Sequence, residues 1–204
     1  MAGSDVKAVT ITADTVAADD DGISANAAVG NNAALTIGGA LASGGSVTLS
    51  HGRKVTITSS GNDSDKSFTV VGTDVNGDSQ TETVTGANAG TATSSNYFLT
   101  IASITAVGDP AANVKAGISD DAADVVFAGR TRLKGAFLSS TGTAGNIDFL
   151  TSSPSGTSQM KLRSVASATA TRDVTIPQEG VLFESGLYIQ YTVSTFNLMT
   201  VFHA

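Results

Sequence analysis

The acidic stretch Asp74–Asp78 (DVNGD) is the part of this sequence closest to a metal-binding loop. Oxygen-bearing side chains stand at its first, third and fifth positions, as at the start of an EF-hand calcium loop. The pattern then fails, because Ser79 stands where that loop needs glycine and Thr85 where it needs a bidentate glutamate. Asp19–Asp21 and Asp63–Asp65 offer carboxylates with no fuller ligand pattern. We therefore expect turns and solvated loops here, with no metal site and no cofactor.

Three cations, Arg130, Arg132 and Lys134, alternate along one predicted strand. Because side chains in a strand point to opposite faces in turn, all three belong to one face. A row of like charges is unfavourable unless an opposite charge compensates it, which predicts a partner interface with an acidic surface. The alternative is a solvated outer face. We name these three residues the basic stripe. The cations that could extend it are Lys161, Arg163 and Arg172.

Catalytic chemistry has little to start from in this chain. There is no cysteine, which excludes disulfides and a thiol nucleophile, and the two histidines, His51 and His203, lie far apart in the sequence. The 18 carboxylates form no pair that stands out, and the G-x-S-x-G, H-E-x-x-H and P-loop motifs are absent. The sequence predicts a protein that is not an enzyme.

Charge and hydropathy exclude two classes of partner. The net charge of −7 opposes binding to a phosphate backbone, which requires basic patches. No run approaches the roughly 18–20 apolar residues that a membrane helix needs, and the first residues lack the pattern of a secretory signal. We expect neither nucleic acid nor a membrane as a partner.

Strand signals run through the whole chain, while helical periodicity is missing. Short segments rich in β-branched residues are separated by Gly, Asn and Asp, as in hairpin-connected antiparallel sheets. The clearest hairpin is Phe68–Thr85, with Asn76 and Gly77 at its turn. The sequence therefore predicts an all-β fold. The other strands predicted up to residue 127 are Val6–Thr12, Ser46–Ser50, Lys54–Thr58 and Tyr97–Val107.

The last 77 residues carry seven short predicted strands, which is typical of a small β-sandwich or jelly roll. In the closing strands, Leu187, Ile189, Tyr191 and Val193 share one face. The next strand offers either Leu198, Thr200 and Phe202 or Met199 and Val201 to the core. The seven strands are Thr131–Leu138, Asn146–Leu150, Gln159–Arg163, Arg172–Ile176, Gly180–Phe183, Leu187–Val193 and Asn197–Phe202. The aromatic residues expected in the core are Phe137, Phe149, Phe183, Tyr188, Phe196 and Phe202.

Composition divides the chain into three predicted parts: an extended arm (residues 1–42), a hairpin-rich N-terminal domain (43–127) and the β-sandwich or jelly-roll domain (128–204). Residues 1–127 carry a net charge of −9 and residues 128–204 a net charge of +2. The arm has no aromatic residue, so we expect it to be mobile in the free protein and ordered against neighbouring subunits. The C-terminal core is small, which favours a homotrimer.

Two segments resemble recurring phrases of tailed-bacteriophage virion proteins. Phe68–Val107 is similar to a stretch in which a "TGTDxxG…TETVTG" hairpin precedes a "T…YFxTVxSIT" strand. Val174–Phe202, with TIPQEGVLFESGLYIQYT and LMTVF, is similar to the closing strands of small phage jelly-roll domains. Together they cover about half of the chain.

The resemblance implies a virion structural protein, first of all a capsid decoration (cement) protein that bridges subunits of the major capsid protein. Its place is the outer capsid surface, after synthesis in the host cytoplasm. The alternatives are a neck, tail or fibre component, or a module that binds glycans on the host surface with loops of its C-terminal domain.

Overall fold

The computed structural model describes residues 5–168 and 170–204. These residues form antiparallel β-sheets and contain no helix, which confirms the predicted all-β fold. The described part of the chain accordingly has no helix that is long and apolar enough to cross a membrane.

Most of the strands coincide with the β-branched segments. The predicted hairpin is present, with Ser67 opposite Thr85 and Thr73 opposite Ser79. In chain order the strands among the described residues are β1 (Lys7–Thr12), β2 (Asp19–Ala27), β3 (Ala42–Ser43), β4 (Ser46–Asn62), β5 (Ser67–Thr73), β6 (Ser79–Thr85), β7 (Asn88–Thr93), β8 (Phe98–Val107), β9 (Val114–Phe127), β10 (Thr131–Ser140), β11 (Asn146–Thr151), β12 (Thr157–Arg163), β13 (Thr171–Thr175), β14 (Val181–Phe183), β15 (Leu187–Thr192) and β16 (Phe196–His203).

The chain divides into two compact units, which we name the acidic unit (residues 17–120) and the aromatic unit (residues 5–16 and 121–204). The acidic unit carries ten acidic and four basic residues, a net charge of −6, and the aromatic unit holds eight of the 11 aromatic residues. Composition predicts boundaries after residues 42 and 127, whereas the chain passes between these units at 16/17 and 120/121.

In the acidic unit, β4, β8, β5 and β6 lie side by side, and residues 114–120 of β9 pair with β2. Phe68, Phe98, Ile101 and Ile104 are fully buried in its core. The two strands predicted at 46–50 and 54–58 are parts of the single strand β4. No turn forms between them, because Arg53 is buried in the sheet and its Nε donates to the Ser119 carbonyl at 3.0 Å.

In the aromatic unit, one sheet has the order β1-β16-β10-β13, with β14 also paired to β10. A second set of strands, β12, β11, β15 and residues 121–127 of β9, is paired in that order. Side chains from both sets form one core around Phe149, Phe183 and Phe196, as predicted. A jelly-roll connectivity remains a prediction.

Three aromatic residues expected in this core lie outside it, and one of them, Tyr188, is buried on the opposite face of β15 from Leu187 and Ile189. Phe202 is 37% exposed and Phe137 is half-buried. In β16 the inward side chains are Met199 and Val201, so the alternation of the strand turns Phe202 outward. The sequence left it open which face of β16 is buried. The buried face is the one with Met199 and Val201.

The described part of the predicted arm, residues 5–42, pairs and packs with other segments of the same chain. All six residues of β1 pair with β16, and Ile11 and Ala13 belong to the core of the aromatic unit. In the acidic unit, Ile23 and Leu35 are buried. Main-chain hydrogen bonds need no large side chains, and a few aliphatic residues suffice where other strands supply most of the core volume.

The side chain of Tyr191 contacts the residues that follow β1 through a hydrogen bond. Its hydroxyl accepts a hydrogen bond from the backbone N–H of Asp14 at 3.3 Å and donates one to Asp124 Oδ2 at 3.0 Å. Burial and the neighbouring Asp124 carboxylate raise the pKa of the Tyr191 phenol far above its ordinary value. The hydroxyl therefore keeps its proton and remains a donor.

Candidate interaction surface

The outer face of the β1-β16-β10-β13 sheet carries exposed apolar side chains. Leu198 and Phe202 are 36% and 37% exposed on β16, with Thr200 between them. Ala8 lies opposite Phe202 on β1, and the Thr10 and Thr200 hydroxyls are 3.1 Å apart. We name this the outer face. Exposed apolar side chains of this kind are found at the centres of protein interfaces.

Two residues of the basic stripe, Arg132 and Lys134, lie beside this apolar centre on β10. The buried Leu133 separates them, so both point outward, as the alternation predicted. The Lys134 ammonium donates to the carbonyls of Gln178 and Glu179 at 3.3 and 3.1 Å, and Arg132 Nη1 lies 3.5 Å from the Glu179 carbonyl. These carbonyls orient both side chains without neutralising their charge.

The third stripe residue, Arg130, comes before β10 begins and is exposed. Its Nε is 2.8 Å from Glu184 Oε2 in an ion pair that is open to solvent on both sides. Such a pair is worth little, about 0–1 kcal/mol. Three further cations could extend the stripe. Lys161 on β12 forms an ion pair with Asp148 on β11, with Nζ and Oδ1 2.8 Å apart. Arg163 on β12 and Arg172 on β13 are exposed.

A pocket of about 300 Å³ in the aromatic unit includes Arg130. Phe127, which is 40% exposed, stacks at 5.2 Å on the His203 ring, and Lys7 lies at the same opening. His203 is buried, and its Nδ1 is 3.0 Å from the Thr131 hydroxyl. The residues that line the pocket are Asp5, Lys7, Phe127, Arg130, Thr131, His203 and Ala204.

His203 gives this unit a predicted sensitivity to acid. Burial and the nearby Lys7 lower its pKa below the ordinary 6.5, and Arg130 and Asp5 are the other charges around the pocket. The unfolded chain therefore binds a proton on His203 more readily than the folded chain does. The contribution of His203 to the free energy of unfolding is fully present above pH 6.5 and is lost as the pH falls below that value.

We expect a lower melting temperature at pH 5.5 than at pH 7.5. The difference should be smaller in His203→Asn, which keeps a hydrogen-bond partner for Thr131. An equal difference in both proteins would contradict this assignment.

The acidic loop forms a turn that uses its own carboxylate. Asp74 Oδ1 accepts the N–H groups of Asn76 and Asp78 at 2.8 and 3.0 Å, and the Gly77 N–H donates to the Asp74 carbonyl at 3.1 Å. Gly77 has a φ of 86°, which a glycine adopts readily. The carboxylate of Asp74 is therefore engaged by backbone N–H groups of the same turn.

We expect chelation by EDTA to leave the melting temperature of the protein unchanged, and Asp74→Ala to lower the free energy of unfolding by about 1 kcal/mol through lost turn hydrogen bonds. Thermal unfolding with and without EDTA and added calcium measures both effects. A melting temperature that falls with EDTA and returns with calcium would contradict the turn assignment.

The other acidic segments also have partners nearby. Asp19–Asp21 place their carboxylates within 4.8 Å of one another, Asp20 forms an ion pair with Lys115, and Asp19 Oδ1 accepts the Asp21 N–H at 3.3 Å. Asp63 is buried, and its Oδ1 accepts the Ala111 N–H at 2.7 Å. These contacts give the carboxylates structural roles.

No pattern in the sequence predicts that Lys7, Phe127 and His203 are neighbours. They lie on three strands that are distant in the sequence, so no local spacing signals the pocket. A weak signal exists for Phe127, a single aromatic residue at the end of an otherwise small-residue segment. Comparison with known proteins adds no relative, since no family model, curated protein or solved structure matches the chain.

Proposed function

We propose that this chain is a structural protein of a tailed-bacteriophage particle, and that it serves as a capsid decoration, or cement, protein on the outer capsid surface. It binds the major capsid protein and catalyses no reaction. The resemblance of Phe68–Val107 and Val174–Phe202 to phage virion proteins suggests the particle. The single observation that supports a docking role is the outer face, where an exposed apolar centre lies beside Arg132 and Lys134.

The physical basis is the composition of this surface. Interfaces place apolar and aromatic side chains at the centre, while charges at the rim select the partner and speed its approach. Leu198 and Phe202 supply the centre and Arg132 and Lys134 the rim. The complementary partner is therefore an acidic, partly apolar surface. Because both groups are fixed on one hydrogen-bonded sheet, little conformational entropy is lost on binding.

The proposal includes self-association as a homotrimer. A trimer gives three copies of the outer face, and simultaneous contacts raise the strength of attachment without any new contact within a copy. The net charge of −6 on the acidic unit opposes unspecific association through that unit. Neither nucleic acid nor a membrane has a place in this proposal.

The first rival function predicts a different copy number. A neck, tail or fibre component is present in a dozen copies or fewer per particle, whereas a decoration protein matches the capsid lattice with hundreds. Quantitative mass spectrometry of purified particles, relative to the major capsid protein, decides between them. A copy number in the hundreds per particle supports the proposal. A copy number of a dozen or fewer overturns it.

A further inference from the structure

A groove in the acidic unit shares no residue with the outer face and is lined by both polar and apolar atoms. Its volume is about 240 Å³, and β2, β4, β7 and the start of β9 contribute to it. No part of the proposed docking role uses it. The residues that line it are Asn26, Thr58, Ser59, Ser60, Ala89, Gly90, Asn113 and Lys115. We name it the amide groove.

The two carboxamides and one hydroxyl of the groove are available to a ligand. The side chains of Asn26, Asn113 and Ser60 make no hydrogen bond with any described residue. By contrast, the Thr58 hydroxyl lies 2.8 Å from that of Thr91, and Ser59 Oγ accepts the Gly61 N–H at 3.1 Å. Each carboxamide can donate two hydrogen bonds and accept two, and a hydroxyl can do both.

The charge of the groove is balanced. Its one cation, Lys115, forms an ion pair with Asp20. An anion such as phosphate would have to compete with that carboxylate for the ammonium group. A neutral ligand needs no such exchange, and adjacent hydroxyl groups, which each donate and accept, match the donors and acceptors of two carboxamides.

The volume of the groove and its apolar residues further restrict the class of ligand that it can bind. Drug-sized ligands occupy pockets of about 300–1,000 Å³, so a groove of about 240 Å³ suits a smaller molecule. Ala89 and Gly90 leave a small apolar patch, which can contact the C–H face of a sugar ring. We propose that the amide groove binds one neutral monosaccharide unit of a glycan. This inference does not depend on the proposed decoration role.

The test is a titration of the ¹⁵N-labelled full chain with glucose, galactose, mannose and N-acetylglucosamine, followed by NMR. We expect at least one sugar to shift the side-chain amide signals of Asn26 and Asn113 and the backbone signal of Ser60. The shifts should saturate with a dissociation constant in the millimolar range, as is usual for a small ligand held by few hydrogen bonds. Inorganic phosphate serves as the anionic probe.

Two variants and one control make the result specific. Asn26→Ala/Asn113→Ala should abolish the saturable shifts, whereas Asn146→Ala, an exposed asparagine of the aromatic unit, should leave them unchanged. Gly90→Val narrows the groove at small structural cost, because an added Cβ comes no closer than 3.8 Å to its nearest neighbours. This variant should keep the remaining spectrum and lose binding.

Three outcomes would overturn the proposal. The first is the absence of saturable shifts with all four sugars. The second is equal binding by the double variant and the native chain. The third is binding of phosphate at the same signals with no response to sugars, which would assign the groove to anions. Because the spectrum itself reports whether each variant is folded, loss of structure is distinguished from loss of binding.

Discussion

Ile11→Asp is expected to lower the free energy of unfolding of the aromatic unit by about 4 kcal/mol or more. Ile11 is only 7% exposed and lies opposite Met199 in the core. Removing a buried isoleucine side chain costs about 2–5 kcal/mol, and an uncompensated carboxylate in its place adds a desolvation penalty. Chemical denaturation followed by the fluorescence of the tyrosines, together with hydrogen exchange of β16, measures the loss.

Ala8→Asp is the matched control, because Ala8 is an exposed residue of the same strand. It should change stability by no more than about 0.5 kcal/mol. If the two variants were equally stable, residues 5–16 would have no part in the core. The same experiment therefore decides between an N-terminal segment built into the fold and the mobile arm that the composition predicts.

In the proposed decoration role, charge reversal of Arg132 and Lys134 is expected to weaken attachment to the capsid by about 10- to 100-fold. The Arg132→Glu/Lys134→Glu protein turns two favourable contacts with an acidic surface into repulsive ones, at roughly one factor of ten per 1.4 kcal/mol. Both side chains point outward, so the fold should remain intact. Re-addition of the variant to particles stripped of the native protein measures the change.

Lys161→Glu/Arg163→Glu is the control, because it changes the net charge equally and both residues are exposed on β12, which pairs with β11 and does not belong to the sheet of the outer face. It should attach like the native protein. Raised ionic strength should also weaken native attachment, since exposed charges are screened by salt. Equal attachment of all three proteins would leave the basic stripe a solvated face, and equal weakening of both variants would indicate a general charge effect.

Local patterns in the sequence were sufficient to predict most strands. Leu187, Ile189 and Tyr191 share one face of β15, and all three are buried as expected. The Asn76-Gly77 turn fixes the register of the hairpin between β5 and β6. In these segments the side chains that favour a strand are also the ones that fill the core, so local preference and tertiary packing agree.

The strands without such side chains were not predicted. β2, β7 and β9 are rich in Ala, Gly, Asn and Asp, which are poor strand formers. Their pairing depends on contact with a partner strand, as at Gly117, where a Cβ would come within 1.8 Å of the Asp19 carbonyl oxygen. A close backbone approach of this kind requires glycine, and only the tertiary structure reveals it.

The candidate surface shows the same division. Period-2 spacing was enough to place Arg132 and Lys134 on one face of a strand. The exposure of Phe202 depends on which side of β16 faces the core, and the sequence left both sides possible. The unengaged carboxamides of Asn26 and Asn113 carry no pattern at all, because polar residues in loops and strand ends are common and only the cavity between them gives them meaning.

The pairing of β1 with β16 has a consequence for biosynthesis. The Thr10 and Thr200 hydroxyls meet across 190 residues of chain, so β1 leaves the ribosome long before its partner exists. At about 5–20 residues per second, the delay is roughly 10–40 s. The acidic unit, continuous over residues 17–120, can complete its fold in that interval. Throughout it β1 is an unpaired strand, and its lysine and threonines limit premature pairing with other nascent chains until β16 emerges.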